Sequence, residues 1–147
     1  MKQSELNRIL DQHKLWLESN GNKGERADLT GADLRDAYLS GANLSGANLV
    51  RAKLSSANLT WADLSGANLS GAILTGAYLT DAYLSGADLI GAYLNGADLN
   101  GADLSDSILN SKYMSSAKVS QSQLSWLATD PNFCDWVDKL DVKKEAA

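Results

Sequence analysis

Leucine recurs at every fifth position from Leu29 to Leu109, seventeen times, and an alanine precedes it by two residues sixteen times in succession, from Ala27 to Ala102. This period fits neither common element. On an α-helix, at about 100° per residue, five residues rotate the leucine by about 140°, so no single face is apolar. On a flat strand an odd spacing places successive leucines on opposite faces. The chain must therefore bend once in every five-residue unit.

Within a unit, Ala and Leu are two residues apart and can point to the same side of a short extended piece. The residue between them, such as Asp28, Asn43 or Asn48, then points outward and is mostly polar. The remaining two residues are largely Ser or Thr followed by Gly, which favour turns. The pattern predicts a solenoid with leucine and alanine inside. The predicted structural core is Leu29, Leu34, Leu39, Leu44, Leu49, Leu54, Leu59, Leu64, Leu69, Leu74, Leu79, Leu84, Leu89, Leu94, Leu99, Leu104 and Leu109.

Units such as Ala47-Asn48-Leu49, Ala62-Asp63-Leu64-Ser65-Gly66 and Ala97-Asp98-Leu99-Asn100-Gly101 resemble the pentapeptide-repeat family, over about two thirds of the chain. The resemblance implies an all-β solenoid, a right-handed quadrilateral β-helix with four repeats in each of about four to five coils. The spacing alone would also allow three or five sides. With four sides, residues twenty apart stack on one another.

The chain is expected to form one domain in three parts. Residues 1–26 are an N-terminal capping helix and linker, residues 27–126 are the β-helix, and residues 127–147 are a C-terminal capping helix and tail. The last coil is degenerate from about residue 107, because Ser107 and Lys112 replace the inward alanine.

Two flanking helices are predicted because a solenoid leaves open ends that must be covered. The first, over residues 4–20, has Ser4 as its N-cap and an apolar stripe formed by Leu6, Ile9, Leu10, His13 and Leu17. The second begins at Asp130-Pro131. The C-terminal segment is more apolar than a short cap needs, so it could instead join two copies as a homodimer, which the family resemblance also favours. Its candidate cap or dimer contacts are Trp126, Leu127, Phe133, Trp136, Val137 and Leu140.

Composition excludes several classes of function. A net charge of −5 argues against direct nucleic-acid binding through a basic patch. The single histidine, His13, and the single cysteine, Cys134, cannot supply a zinc set or a nucleophile beside a base. We therefore expect no enzymatic activity, no cofactor and no metal. With no signal core and no apolar run of membrane-spanning length, the expected location is the cytoplasm, away from membranes.

Function is expected on the outward positions, where a non-enzymatic scaffold would contact a protein partner whose identity the sequence does not give. Tyr and Trp are favoured at interaction surfaces, although aromatic residues also suit extended structure and stack along a ladder. One strip lies on a single side of the coil, and a second cluster surrounds Trp61, which occupies a corner where Gly or Asp is usual. The candidate interaction surface is Ile73, Tyr93 and Tyr113, then Trp61 near Tyr38 and Tyr78, with the acids Asp63, Asp88, Asp98 and Asp103.

The alternative is a DNA-mimic protein that binds a type II topoisomerase (DNA gyrase) through its acidic surface, as some pentapeptide-repeat proteins do. The physical idea is a rod of carboxylates that invites a basic groove. Between residues 27 and 124, however, nine acids face five bases. Leucine occupies every central position, without the phenylalanine common in topoisomerase-binding members. These features make the scaffold the first interpretation.

Overall fold

The computed structural model describes residues 1–110, 113–123 and 140–143. The elements named within these residues are the helix α1 (Gln3–Glu18) and the short strands β1 (Asp88–Ile90), β2 (Ile108–Asn110), β3 (Lys118–Ser120) and β4 (Asp141–Lys143). Strands β1 and β2 pair in parallel, as do β3 and β4. Most of the solenoid consists of extended pieces too short to count as strands.

These extended pieces pair in parallel with the piece twenty residues later, from Asp28 with Asn48 to Asp98 with Lys118. Twenty residues contain four five-residue units, so each coil has four sides. The pairing removes the three-sided and five-sided alternatives that spacing alone allowed.

Every backbone N–H of a typical unit has a defined partner, which explains why the coil is built from five residues. In the unit that contains Leu49, the N–H of Asn48 bonds to Ala27 O at 2.9 Å, that of Leu49 to Asn68 O at 2.7 Å and that of Arg51 to Ser70 O at 2.9 Å. The N–H of the next alanine turns back to the preceding leucine carbonyl. The fifth N–H, on the residue that is usually Ser or Thr, donates to the side-chain oxygen of the outward residue two positions earlier. Paired amides of this kind allow the backbone to run close to a dry core.

The core is a column of leucine and alanine. All seventeen leucines of the repeat are buried, and from Ala47 to Ala102 the inward alanines are at most 5 % exposed. Met114 and Val119 continue the leucine position and Ala117 the alanine position, and all three are fully buried. At Ser107, the hydroxyl that replaces an inward methyl group donates to Leu104 O at 2.7 Å. Lys112 and Leu124 lie outside the described residues.

Helix α1 packs against the first coil. It begins at Gln3, with Lys2 and not Ser4 at the N-cap position, and the chain leaves the helix through Asn20 and Gly21 at positive φ. Leu6 and His13 are buried, while Ile9 and Leu10 are partly buried against the core. Nδ1 of His13 accepts the Ala27 N–H at 3.1 Å, so the first inward residue of the solenoid is bonded directly to the helix.

At the other end, the chain returns as a strand. Strand β4 pairs with β3 in the register Lys118 with Asp141 and Val119 with Val142. Of the capping helix and tail that the sequence predicted over 127–147, residues 127–139 and 144–147 lie outside the described residues, and 141–143 form strand β4. Of the candidate cap or dimer contacts, Leu140 is partly buried against the core. The others lie outside the described residues: Trp126, Leu127, Phe133, Trp136 and Val137.

Gln123 also departs from the repeat. Its sequence position is outward on the next coil, but residues 121–123 have helical backbone. Its side-chain amide donates to Leu99 O at 2.6 Å and to Ala102 O at 2.8 Å. The glutamine therefore bonds Ala102 O, the carbonyl that a further extended piece would otherwise take, and adds a second bond to Leu99 O, which already accepts the Ala102 N–H.

Candidate interaction surface

The outward side chains form four walls along the solenoid, defined by the parallel pairs and by the bond from Leu94 N to Tyr113 O. The first wall is Asp28, Asn48, Asn68, Asp88 and Ile108. The second wall is Asp33, Lys53, Ile73, Tyr93 and Tyr113. The third wall is Tyr38, Asn58, Tyr78, Asp98 and Lys118, and the fourth wall is Asn43, Asp63, Tyr83 and Asp103.

Asp and Asn on these walls have a structural task. Oδ1 of Asn58 accepts the Thr60 N–H at 3.0 Å, and Oδ1 of Asp63 accepts the Ser65 N–H at 2.9 Å. This bond satisfies the fifth amide of the unit, the one that does not reach the neighbouring coil. The prevalence of Asp and Asn in the outward position therefore follows from backbone bonding as well as from exposure.

Tyrosine has no acceptor that can make this local bond, so each tyrosine on a wall leaves it out. Tyr93 and Tyr113 have a structural compensation, because their rings stack with centroids 4.3 Å apart and an interplanar angle of 21°. Such a pair contributes about 0.5–1.5 kcal/mol beyond burial. Within the strip that the sequence proposed on the second wall, Tyr93 and Tyr113 thus stabilise the coil.

The aromatic residues of the third and fourth walls are more exposed. Tyr38 is 84 % exposed, Trp61 63 %, Tyr78 54 % and Tyr83 55 %, against 38 % for Tyr93. No ring stacking involves these four side chains within the described residues. Tyr83 was missed as a candidate in the sequence, although its place in the fourth wall, beside the corner that carries Trp61, was the available signal.

Trp61 is held in place by a neighbour one coil away. The residue has positive φ (57°), as the corner position requires, and its Nε1 donates to Asp81 Oδ2 at 3.0 Å. The Asp81 carboxylate in turn lies over Gly101, where a Cβ would overlap Asp81 Oδ1. Three corner residues at intervals of twenty therefore orient one indole on the surface.

The carboxylates proposed from the sequence do not form one cluster. Asp63 and Asp103 lie on the fourth wall, and Asp88 lies on the first wall. Asp98, on the third wall, is 3.8 Å from Lys118 Nζ. Ser105 lowers the pKa of Asp103 through its hydroxyl and its backbone N–H, so this carboxylate is ionised at neutral pH.

Basic side chains of the repeat concentrate elsewhere. Arg35 makes a two-point contact with Asp33 on the second wall, at 2.8 Å from Nε to Oδ1 and 2.6 Å from Nη2 to Oδ2. This guanidinium holds the pKa of Asp33 well below its usual range. Lys53 lies on the same wall and Arg51 at the corner before it. Arg26 bonds Gly46 O at the N-terminal end of the solenoid.

Two further findings concern other classes of site. Across residues 1–110, 113–123 and 140–143, no group of three or more His, Cys, Asp or Glu side chains is placed to hold a metal ion. In the same residues, no helix is long and apolar enough to cross a membrane.

The geometry defines a four-sided β-solenoid with a leucine–alanine core. A family model described as pentapeptide repeats matches residues 32–71 and 72–110, in eight copies. Because these residues are more than half of the sequence, the chain belongs to the pentapeptide-repeat family. A search of curated proteins found no match.

Solved structures give the same result. The chain is similar to HetL, a pentapeptide repeat protein involved in heterocyst differentiation regulation from the cyanobacterium Nostoc sp. strain PCC 7120, at 41 % identity over 63 % of this chain and 44 % of HetL, with a TM-score of 0.59. It is similar to Rfr23 from the cyanobacterium Cyanothece 51142 at 43 % identity over 60 % of each chain, with a TM-score of 0.58. A pentapeptide repeat protein from the Arabidopsis thaliana thylakoid lumen matches at 30 % identity over 66 % of this chain and 74 % of its own, with a TM-score of 0.45. The chain thus spans less than two thirds of the first two relatives.

Proposed function

We propose that this protein is a non-enzymatic interaction scaffold, in which a rigid rod presents outward aromatic and acidic side chains to a protein partner. In this proposal the coils wind right-handedly, as the family resemblance implies, and the rod acts in the cytoplasm without a cofactor. The C-terminal segment serves as a cap or as the contact of a homodimer.

The observation that carries the proposal is the placement of Tyr38, Tyr78 and Tyr83. Each stands where Asp or Asn would satisfy a backbone amide, each is more than half exposed, and none stacks on another ring among the described residues. A hydrogen bond of this kind contributes about 0.5–1.5 kcal/mol. Residues that forgo it without a compensating contact inside the molecule are best explained by a contact outside it. Tyr and Trp provide such contacts because they bury a large area with few rotatable bonds.

Similarity to HetL supports the same class of function. HetL is described as involved in the regulation of heterocyst differentiation. We infer from this only that a repeat rod of related sequence can have a regulatory role, because the present chain spans less than half of HetL.

Site-specific photo-cross-linking tests the scaffold. A photoreactive residue replaces one exposed side chain on each wall in turn: Ile108, Tyr93, Tyr78 or Tyr83. In cells of the source organism, the scaffold predicts an adduct of discrete mass from one wall or two adjacent walls and none from the opposite side. Adducts of equal yield from all four walls, or from none, would contradict a specific contact surface.

The alternative function, a DNA mimic that binds a type II topoisomerase (DNA gyrase), is favoured by one observation. Asp63 and Asp103 face outward on the fourth wall, which carries no basic residue among its four members. Purified DNA gyrase tests this alternative in a supercoiling assay. A mimic predicts inhibition that weakens steeply as salt rises, because a row of carboxylates binds a basic groove by screened charge. Unchanged supercoiling at low salt and excess protein would remove the alternative.

A further inference from the structure

We propose that the corner carrying Trp61, with the adjoining fourth wall and the third-wall residue Tyr78, is a docking surface for an arginine-bearing segment of a protein partner. This inference rests on the scaffold function and names the chemistry of its partner. The surface, called here the Trp61 face, consists of Trp61, Tyr78, Asp81, Tyr83, Asp63 and Asp103.

The first argument is that the indole is oriented before any partner binds. Asp81 Oδ2 accepts a hydrogen bond from Trp61 Nε1, with the two atoms 3.0 Å apart, while the indole remains 63 % exposed. A side chain fixed in this way loses little conformational freedom on binding, and fixed aromatic side chains are typical anchors of interfaces. Trp61 therefore offers an aromatic surface in a defined position.

The second argument is the separation of charge around the solenoid. The acids of the Trp61 face, Asp63, Asp81 and Asp103, have no basic neighbour within the fourth wall or the corner before it. Arg35, Arg51 and Lys53 lie on the second wall or at corners beside it, and the third-wall Lys118 approaches Asp98. Among the described residues, the face therefore carries negative charge with no basic side chain in its own wall or corner, next to exposed rings, which is complementary to a cationic partner.

The third argument selects arginine over lysine. A guanidinium is planar, stacks on aromatic faces and contacts a carboxylate through two N–H groups at once. Asp63 belongs to the coil that carries Trp61, and Asp81 belongs to the next coil, which carries Tyr83. Neighbouring coils are about 4.8 Å apart. A guanidinium stacked on the indole is thus within one coil of a carboxylate, whereas an ammonium gains the charge but not the stacking.

Two synthetic peptides test the proposal against the intact protein. One alternates arginine with glycine over ten residues, and the other replaces each arginine with lysine. Titration calorimetry at low salt is expected to show the arginine peptide binding about fivefold or more tightly than the lysine peptide, because only the planar guanidinium combines ring stacking with a two-point carboxylate contact. In the unaltered protein, the Trp61 Nε1–H resonance is expected to shift during the arginine titration.

Four variants locate the binding. Trp61→Ser keeps a residue type that Ser56 and Ser116 already place at corners with positive φ, and it should remove the preference for arginine. The double variant Asp63→Asn with Asp103→Asn retains both side-chain oxygens that cap the following amides, and it should weaken both peptides and flatten the salt dependence. The matched controls on the first wall are Ile108→Ser, which removes a side chain that is 54 % exposed, and Asp88→Asn. Both should leave affinity within about twofold, since neither touches the Trp61 face.

The proposal is overturned if the two peptides bind equally and the Trp61 resonance does not move. It is also overturned if Asp88→Asn weakens binding as much as the fourth-wall variant, because binding would then follow net charge alone. These outcomes are separate from failure of the scaffold itself. A discrete photo-adduct from another wall would preserve the scaffold and reject the Trp61 face, while no adduct from any wall would reject both.

Discussion

In the five-residue unit, the inward leucine and alanine form the core, while the outward residue faces solvent and, where it is Asp or Asn, also bonds the backbone. Leucine and alanine positions were predictable from sequence, because their spacing leaves one side of each unit apolar. The second role of Asn and Asp, as acceptors for the amide two residues later, was not predicted. The orientation of Trp61 was also unpredictable, since it depends on Asp81 and Gly101 in two later coils and not on the residues beside it.

An enlarged inward residue should be far more harmful than an enlarged outward one. Ala67 is fully buried between coils, whereas its neighbour Asn68 faces outward. We expect Ala67→Leu to destabilise the protein by about 1–3 kcal/mol or more, because a packed interior resists added methylene groups. Asn68→Leu should lose the bonds that Asn68 Oδ1 accepts from the Ser70 N–H and the Ser70 hydroxyl; because the hydroxyl can rotate to another acceptor, we expect a cost of about 0.5–1.5 kcal/mol. Urea unfolding of both variants measures the difference, and equal midpoints would show that the inward and outward assignment is wrong.

Replacing a wall tyrosine with asparagine should raise the stability of the protein and weaken partner binding. In Tyr78→Asn, the new side chain can accept the Thr80 N–H as Asn58 accepts that of Thr60 on the same wall. We therefore expect this variant to be more stable by about 0.5–1 kcal/mol while losing contact with the partner. The reverse change, Asn58→Tyr, is the control and should be destabilising. A Tyr78→Asn variant that melts lower than the parent would show that the tyrosine stabilises the coil itself.

At the scale of elements, the junction between α1 and the first coil depends on a neutral histidine. Nδ1 of His13 accepts the Ala27 N–H, so the ring carries its proton on Nε2 and cannot gain a second proton without losing this bond. Burial lowers the pKa of His13, the backbone of Ser45 opposes the shift, and the charge of Arg26 lowers the pKa further. The apolar stripe predicted this helix, but the bond to Ala27 joins residues fourteen positions apart and has no signature in the sequence.

Docking of α1 should therefore weaken as the solution becomes acidic. A basic group with a lowered pKa binds fewer protons in the folded state than in the unfolded state, so stability is fully present above pH about 6.5 and declines as pH falls below it. Intrinsic amide hydrogen exchange slows as pH falls, so the measured quantity is the protection factor of the Ala27 amide, which should decrease between pH 7.5 and 5.5. The pKa values of Asp28, Asp33 and Asp103 are also lowered, so their contribution to stability is lost only at more acidic pH, as pH falls below the ordinary carboxyl pKa.

His13→Gln provides the control for that experiment. A glutamine oxygen can accept the Ala27 N–H and does not titrate, so protection of this amide should no longer depend on pH in the same window. Persistence of the full pH dependence in this variant would assign the effect to another group.

At the scale of the whole molecule, the repeat predicted the solenoid but not how the chain ends. The solenoid was evident because each unit repeats one local rule, and pairing at an interval of twenty then fixed the four sides. The end of the chain follows no such rule. Strand β4 forms only because the edge of β3 offers unpaired backbone groups, a long-range contact that local propensity does not encode. Function on the walls is least predictable, because the repeat accepts many residue types in the outward position even though Asp and Asn satisfy one more backbone amide than the others.

Association through the C-terminal segment remains a prediction. Its test has to separate the contacts of this segment from the pairing of strand β4. A chain that ends at Thr129 would lose the candidate contacts Phe133 and Trp136 and would also lose β4, so a change in mass could not be assigned to either. Light scattering coupled to size exclusion should instead compare the intact chain with Phe133→Ser/Trp136→Ser and with a chain ending at Leu140. If the segment joins two copies, the intact protein should have a mass of twice 15.7 kDa and the double variant the single mass.

The chain ending at Leu140 then acts as the control for the strand. It removes the partner of Lys118–Ser120 and should melt at a lower temperature, because that edge and the buried Val119 lose the cover of Val142, yet it should keep the intact mass. A single mass for all three proteins would make the dimer prediction wrong and leave the apolar residues of the C-terminal segment as cap contacts. The interaction rod would then be one solenoid long, and the walls of a single copy would have to supply the entire surface that the partner recognises.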